Sequence, residues 1–157
     1  EETIFEGRGI NRSMIGLDAS VIADRAGIST PAGCRLLFFE VSDEQHPLVQ
    51  HEQLMPVLPL VRAPSVEQAI AMAVRVEHGF RHTAVMYSHD IAHLHAMARA
   101  CDTSIYTKNV PSYAGIGMDG EGYCSYTIAS PTGEGVTRSR DFARARRCML
   151  KEYLRIV

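Results

Sequence analysis

No run of apolar residues in this 157-residue chain comes near the ~20 that a helix needs to cross a bilayer, which excludes a role as a helical membrane anchor. The opening residues, EETIFEGRG, have neither the basic nor the apolar region of an export signal. The four cysteines, Cys34, Cys101, Cys124 and Cys148, never fall at CxxC spacing, which removes the metal-knuckle classes. With no export signal they read as free thiols in a reducing compartment, and the expected location is cytoplasmic. The pattern GxxxxGK[ST] is absent, so a P-loop is excluded. Internal repeats, low-complexity stretches and interdomain linkers are missing too.

What is present is the composition of a soluble globular protein, with 46% hydrophobic and 22% charged residues. The length allows one domain with a real core and is too short for two ordinary ones. A formal net charge of −2 hides an uneven distribution: residues 137–157 carry seven Lys or Arg against two acids, a local +5, and residues 1–136 stand at −7. Such a basic end can meet phosphate, an acidic partner or water.

Taken in order, residues 1–12 show no period and read as a loop or frayed start. Asp18 is placed to cap a short helix through Arg25, with Ile22 and Ala26 on one face and Gly27 past its end. Cys34 to Val41 is a strand whose continuous apolar run, Leu36 to Phe39, suits burial on both faces, as in a parallel sheet. His46-Pro47 breaks it and leads by a linker or short helix to Glu52. Pro56 to Val61 is a second strand, with Pro59 marking a bend or an edge. Ser65 opens the best helix, with Gln68 at the capping-box position and apolar residues at Val66, Ala69, Ile70, Ala73 and Val74; Gly79 ends it. Thr83 to Tyr87 is a strand. Ser88 then caps a third helix with the stripe Ile91, Leu94, Ala98 and Cys101, and Thr103 to Asn109 is the next strand. Beyond Asn109, residues 111–122 are glycine-rich and irregular, Tyr123 to Ala129 is strand-like, residues 131–135 turn, Thr137 to Met149 suits a helix, and Leu150 to Val157 a terminal strand or tail. The β-α-β-α-β order with short connections predicts an α/β, three-layer fold with a mostly parallel sheet.

The stretch 50–88 is the centre of this organisation. A βαβ unit would set its two strands side by side. Glu52 and His82, each just ahead of a strand, would then face one crevice. Ligands in open α/β sheets favour the carboxyl ends of strands, whereas both residues precede theirs, so position alone does not decide their role. The other constellations in the chain have plainer readings. Gly115-x-Gly117-x-x-Gly120 matches the dinucleotide fingerprint literally, but a strand-like run follows where the fingerprint needs a helix N-terminus, so a flexible loop is the reading. His89 and His93 stand four apart with His95 nearby, a two-ligand spacing that lacks a third ligand; surface histidines account for them, and no metal is expected. Of the cysteines only Cys124, beside the glycine loop, is worth weighing as a nucleophile, against the default of a small buried hydrophobe.

The motifs His51-Glu-Gln-Leu-Met-Pro-Val-Leu-Pro-Leu-Val-Arg62, Glu77-His-Gly-Phe-Arg-His-Thr-Ala84, Lys108-Asn-Val-Pro-Ser-Tyr-Ala-Gly115, Pro131-Thr-Gly-Glu-Gly135 and Arg146-Arg-Cys-Met-Leu150 resemble the CoA-acylating aldehyde dehydrogenases. The resemblance is nearest to the propionaldehyde and acetaldehyde branch associated with bacterial microcompartments, and it runs from about Gly16 onward. It implies the C-terminal part of an aldehyde dehydrogenase superfamily catalytic domain, here residues 1–157, with a pocket loop at 111–122 and a basic segment at 137–157. It implies oxidation of a short-chain aldehyde with NAD, transfer of the acyl group to coenzyme A, and a homo-oligomer. Glu52 takes the place of the glutamate at the nicotinamide ribose and active site, with Leu54 and Pro56 beside the cofactor. His82 takes that of the active-site histidine, and Pro111, Ser112 and Tyr113 border the acyl pocket. The family nucleophile, a cysteine in an N-x-P-C context, is not matched here, and neither is the Rossmann domain. The chain is thus either part of a longer enzyme or a natural half that needs its N-terminal part from a partner chain.

A non-catalytic interaction or assembly module of the same fold is the alternative, and a metal- or nucleic-acid-binding domain a third reading. For Arg138, Arg140, Arg144, Arg146 and Arg147 a subunit contact or solvated face is preferred over nucleic acid, since no aromatic residues are interleaved to stack on bases.

Overall fold

The computed structural model describes residues 2–7, 9–128, 135–149 and 151–152. The chain forms two compact units, Glu1–His78 and Gly79–Val157.

The first unit begins with built structure where the sequence suggests a frayed end. Phe5–Glu6 (β1) pairs antiparallel with Gly9–Ile10 (β2), and a single 3-10 turn follows at Arg12–Met14, held by Asn11 Oδ1 accepting from the Ser13 amide at 3.1 Å. Two-residue strands are too short to show a period, yet Ile4 and Met14 are buried. The first helix is Ala19–Arg25 (α1), as predicted, but Asp18 makes no side-chain capping bond. Ala19, Ile22 and Ala23 form its buried face, and Ala26 is exposed. Gly27, at φ 72°, takes the left-handed step that ends it.

Leu37–Glu40 (β3) and Val57–Leu60 (β4) then run parallel, in register Leu37 to Val57 through Glu40 to Leu60. The link between them carries a four-residue helix, Pro47–Gln50 (α2), which His46 starts by accepting the Leu48 amide on its ring nitrogen at 3.2 Å. Leu37, Phe39 and Val57 join Ile4, Met14, Ile22 and Leu48 in the core. The expected burial on both faces is not met: Phe38 is 60% exposed and its register partner Leu58 49%. Helix Val66–Val76 (α3) starts as predicted, with Ser65 Oγ accepting the Gln68 amide, but buries none of its residues fully.

In the second unit Thr83–Met86 (β5) and Ile105–Lys108 (β6) are parallel and joined by helix Ile91–Cys101 (α4). The cap of α4 is Asp90 rather than Ser88: the Asp90 carboxylate accepts the Ala92 and His93 amides, and Ser88 Oγ serves Asp90's own amide. The buried stripe is Leu94 and Cys101 with Ala98 half-buried; Ile91 is exposed. A 3-10 turn, Ser112–Ile116, packs on β6. Thr127–Ile128 (β7) and Val136–Thr137 (β8) pair antiparallel. The predicted strand Tyr123–Ala129 thus shrinks to β7, its last residue lying outside the described residues. So do residues 131–134 of the predicted turn and, of the terminal segment, residues 150 and 153–157. The predicted helix Thr137–Met149 is not formed. Its first residue closes β8, Ser139–Phe142 makes a 3-10 turn capped by Asp141 accepting the Arg138 amide, and residues 144–149 have no regular structure. Phe142 and Met149 stay exposed, so among the described residues they lack the apolar support that an amphipathic helix needs.

The fold is α/β with parallel strand pairs, each closed within its own unit as β3-α2-β4 and β5-α4-β6. Contrary to the βαβ expectation, β4 and β5 are not paired among the described residues; Glu52 lies in the first unit and His82 in the second.

Candidate active site

Glu52 is presented by a turn whose anchor is its neighbour. After α2 the His51 amide closes back on Pro47, and the His51 ring stands edge-on to Phe5 with centroids 5.6 Å apart. Gln53 then turns inward, 8% exposed, and its Nε2 donates to the carbonyls of Leu48 and His51. With Gln53 fixed inside, Glu52 and Leu54 on either side face outward and are exposed. Leu54 has φ 56°, a left-handed conformation that is uncommon for a non-glycine residue and recurs at functional sites. Its carbonyl accepts the Gly16 amide at 3.2 Å, and that of Pro56, half-buried, accepts the Leu37 amide at 2.9 Å. The result is an outward carboxylate beside exposed aliphatic surface on a firmly tied loop.

His82 enters β5 from a second such turn. Arg81, at φ 53°, pairs with Asp102 at 2.9 Å, and Asp102 itself is the left-handed cap of α4. The carbonyls of Arg81 and His82 accept the amides of Ser104 and Ile105, which extends the ladder past β5 and fixes the backbone beneath the imidazole. The ring is exposed, with Nδ1 2.6 Å from Thr83 Oγ1.

Pro111 precedes the 3-10 turn, and Pro111, Ser112 and Tyr113 are exposed on it. The glycines after them have a packing cause. A Cβ on Gly115 would lie 2.2 Å from Ile105 Cγ2, on Gly117 2.7 Å from Cys124 Cα, and on Gly120 2.4 Å from the Ala114 carbonyl oxygen. The loop expected to be flexible is therefore packed against β6 and against itself. No helix N-terminus follows it to hold a pyrophosphate, since residues 123–126 have no regular structure.

Of the other candidates, Cys124 packs against Gly117. A cleft of about 710 Å³ in the first unit is lined by Ile22, Leu36, Phe38, Phe39 and His46 among others, and not by Glu52, Leu54 or Pro56. His93 leans toward Asp90 at 3.6 Å, and among the described residues no three metal-ligating side chains gather. Cys101 is buried and Cys34 half-buried, while Cys124 and Cys148 are exposed, contrary to the buried default for the latter two. Gln53 and Asn109, which fix the two loops, escaped the sequence reading; the only signal for Gln53 is its place between two exposed motif positions.

No family model matches the chain. Over nearly its whole length the chain is nevertheless similar to CoA-acylating aldehyde dehydrogenases. Acetaldehyde dehydrogenase (acetylating) EutE of Salmonella typhimurium is 49% identical over 152 residues, covering 96% of this chain and 32% of that protein. The crystal structure of Rhodopseudomonas palustris propionaldehyde dehydrogenase, with bound CoA and an acylated cysteine, superposes with a TM-score of 0.87 at 44% identity, covering 94% of this chain and 34% of that one. A propionaldehyde dehydrogenase from the Clostridium phytofermentans fucose utilisation bacterial microcompartment gives 0.87 at 42% identity, covering 96% and 34%. The chain spans about a third of the length of these relatives. Among the described residues no helix is long and apolar enough to cross a membrane.

Proposed function

We propose that this chain is the C-terminal third of an oxidoreductase that converts a short-chain aldehyde, NAD and coenzyme A to acyl-CoA and NADH. The observation that carries the reading is the 49% identity to an acetylating acetaldehyde dehydrogenase along 96% of the chain. The nucleophilic cysteine and the dinucleotide-binding domain belong to the rest of that enzyme. It assembles as a homo-oligomer, in the cytoplasm or inside a bacterial microcompartment like the Clostridium relative.

Chemistry assigns the roles. The donor set of the first turn fits a nicotinamide riboside: the outward Glu52 carboxylate can accept from two vicinal ribose hydroxyls, and Leu54, 61% exposed, and Pro56 offer apolar surface beside it. When bound, NAD takes up the hydride that leaves the substrate carbon. Glu52 orients the ribose and can relay a proton. His82 supplies an imidazole that would take the proton from the incoming CoA thiol, so that the thiolate sulfur adds to the acyl carbon and the bond from that carbon to the nucleophilic cysteine of the rest of the enzyme breaks, releasing the cysteine thiolate. Pro111, Ser112 and Tyr113 border the acyl group.

The test is made on the full-length enzyme carrying this segment. His82→Ala is expected to lower CoA-dependent turnover by roughly 10²- to 10⁴-fold while NADH release in the first, CoA-independent half-reaction persists. Unchanged turnover would remove His82 from the mechanism. Absence of any aldehyde- and CoA-dependent NADH formation by the unmodified enzyme would reject the function itself.

A further inference from the structure

We propose that Asn109 is the positioning residue that holds the Pro111–Tyr113 turn and thereby sets which aldehyde the enzyme prefers. This rests on the reading above that the turn borders the acyl pocket. β5 and β6 pair as far as Met86 and Lys108, and the Asn109 amide adds one more bond, to the Met86 carbonyl at 3.0 Å. Past that point the chains part, one toward Ser88 and α4, the other toward the turn. Asn109 bridges the gap with its side chain: Oδ1 accepts the Ser88 amide at 2.8 Å and Nδ2 donates to the Ser88 carbonyl at 2.9 Å. The carboxamide sets an N–H donor beside a carbonyl acceptor, as a peptide unit does, so it extends the sheet by a further rung. The backbone at Asn109 sits at φ 55°, which asparagine tolerates better than most residues.

The turn is fixed at both ends, by this rung at one and by packing at the other. The Val110 carbonyl accepts from Thr107 Oγ1 at 3.3 Å, so residues 107–110 are tied down up to Pro111. At the far end, Gly115 is seated against Ile105 and Thr107. Ser88, the partner of Asn109, also accepts the amide of Asp90, the cap of α4. The clamp therefore fixes the turn relative to the N-terminus of that helix. A displacement of the turn changes the space open to the acyl group without touching any reacting atom.

Asn109→Gly keeps the left-handed backbone available and deletes only the clamp. Asn109→Asp keeps the shape and replaces the donor to the Ser88 carbonyl with an acceptor. In the full-length enzyme carrying this segment, kcat and KM are measured for acetaldehyde, propanal and butanal beside Tyr113→Ala, with amide exchange followed at Ser88. Both Asn109 variants are expected to raise KM for the preferred aldehyde and to shrink the kcat/KM ratio between neighbouring chain lengths by about 3-fold or more. KM for NAD should stay put, and the Ser88 amide should exchange faster in Asn109→Gly. A uniform fall in kcat/KM for all three aldehydes, or no change in their ratio while Tyr113→Ala shifts it, overturns the positioning role and leaves the pocket reading standing. If Tyr113→Ala leaves the ratio unchanged too, the pocket reading falls, and this proposal with it.

Discussion

The two parallel strand pairs of this chain are built on the same plan and finished differently. In β5 and β6 both faces are covered from within the unit. Leu94 of α4 is buried and its carbonyl accepts the Tyr106 hydroxyl at 2.9 Å on one side. Gly115 sits against Ile105 and Thr107 on the other. In β3 and β4 only one face is finished, by Ile4, Met14, Ile22 and Leu48. The other leaves Phe38 and Leu58, directly opposed in register, open to water. A strand pair with two apolar faces calls for two covering layers, and among the described residues Phe38 and Leu58 of the first unit are left without the second. That agrees with a chain spanning a third of its relatives' length. The His82 and Asn109 turns are secured by bonds within the second unit.

The comparison is broken most directly by truncating, in the isolated chain, a residue that covers β5 and β6 and one on the open face of β3. Leu94→Ala, at a position 4% exposed, should cost about 2–5 kcal/mol by denaturant titration. Phe38→Ala should change stability by no more than about 0.5 kcal/mol, because its ring is already in water. Equal costs would show that the open face of β3 is covered after all. Phe38→Ala should become strongly destabilising in the full-length enzyme. In the isolated chain, Phe38→Lys with Leu58→Lys should suppress the self-association that such a face invites, as read by light scattering.

Next in size is Gly115→Ala. The added methyl would stand 2.2 Å from Ile105 Cγ2, and relief requires β6 or the 3-10 turn to move, at a cost of about 1–3 kcal/mol. Because the turn carries Ser112 and Tyr113, aldehyde KM should rise with the loss of stability. Gly122→Ala meets no neighbour within 4 Å and should leave KM alone, although its φ of 105° still strains the backbone. A Gly115→Ala enzyme with native Tm and KM would mean that the turn does not rest on β6. On the other unit, Gln53→Leu should cost about 1–3 kcal/mol, since it leaves the Leu48 and His51 carbonyls without their donor. It should weaken NAD binding more than it lowers kcat.

Much of this was legible in the sequence wherever a local signal and a tertiary one agree. Ser65 with Gln68, Gly27 after α1, and the β-branched and aromatic residues of β5 and β6 mark their elements directly. The misreadings have physical sources. Ser88 and Asp90 are both good capping residues, and only the conformation of Ser88, held by Asn109, leaves the cap to Asp90. The stripe assigned to α4 was one turn too long because Ile91 has the right spacing and no partner. The basic segment after Thr137 has helix-forming residues and nothing described to support them. Glu52, Leu54, Pro56, His82 and Pro111–Tyr113 are proposed from motifs, not from geometry. The residues that hold them, Gln53 and Asn109, carry no pattern of their own, because a side chain that substitutes for a backbone rung is visible only once the backbones it bridges are in place.

The smallest effect sharpens the comparison at the end where α4 meets the Asn109 clamp. Backbone bonds from His93 and, next, from Ala92 hold the Asp90 carboxyl below its ordinary pKa. A carboxylate with a depressed folded-state pKa contributes stability that is fully present above its unfolded-state pKa, ordinarily near ~3.9, and lost as pH falls through the folded value. Asp90→Ala should therefore lower Tm at pH 7 and make progressively less difference as pH drops below 4, where the native carboxylate is itself protonated. Asp90→Asn, which keeps a capping oxygen, should recover most of the pH 7 loss and show little of the pH dependence. Since Ser88 serves both Asp90 and Asn109, Asp90→Ala should also quicken amide exchange at Ser88 without touching β3 or β4. A Tm deficit for Asp90→Ala that stays constant from pH 7 to pH 3 would show that the cap acts through packing rather than through its charge.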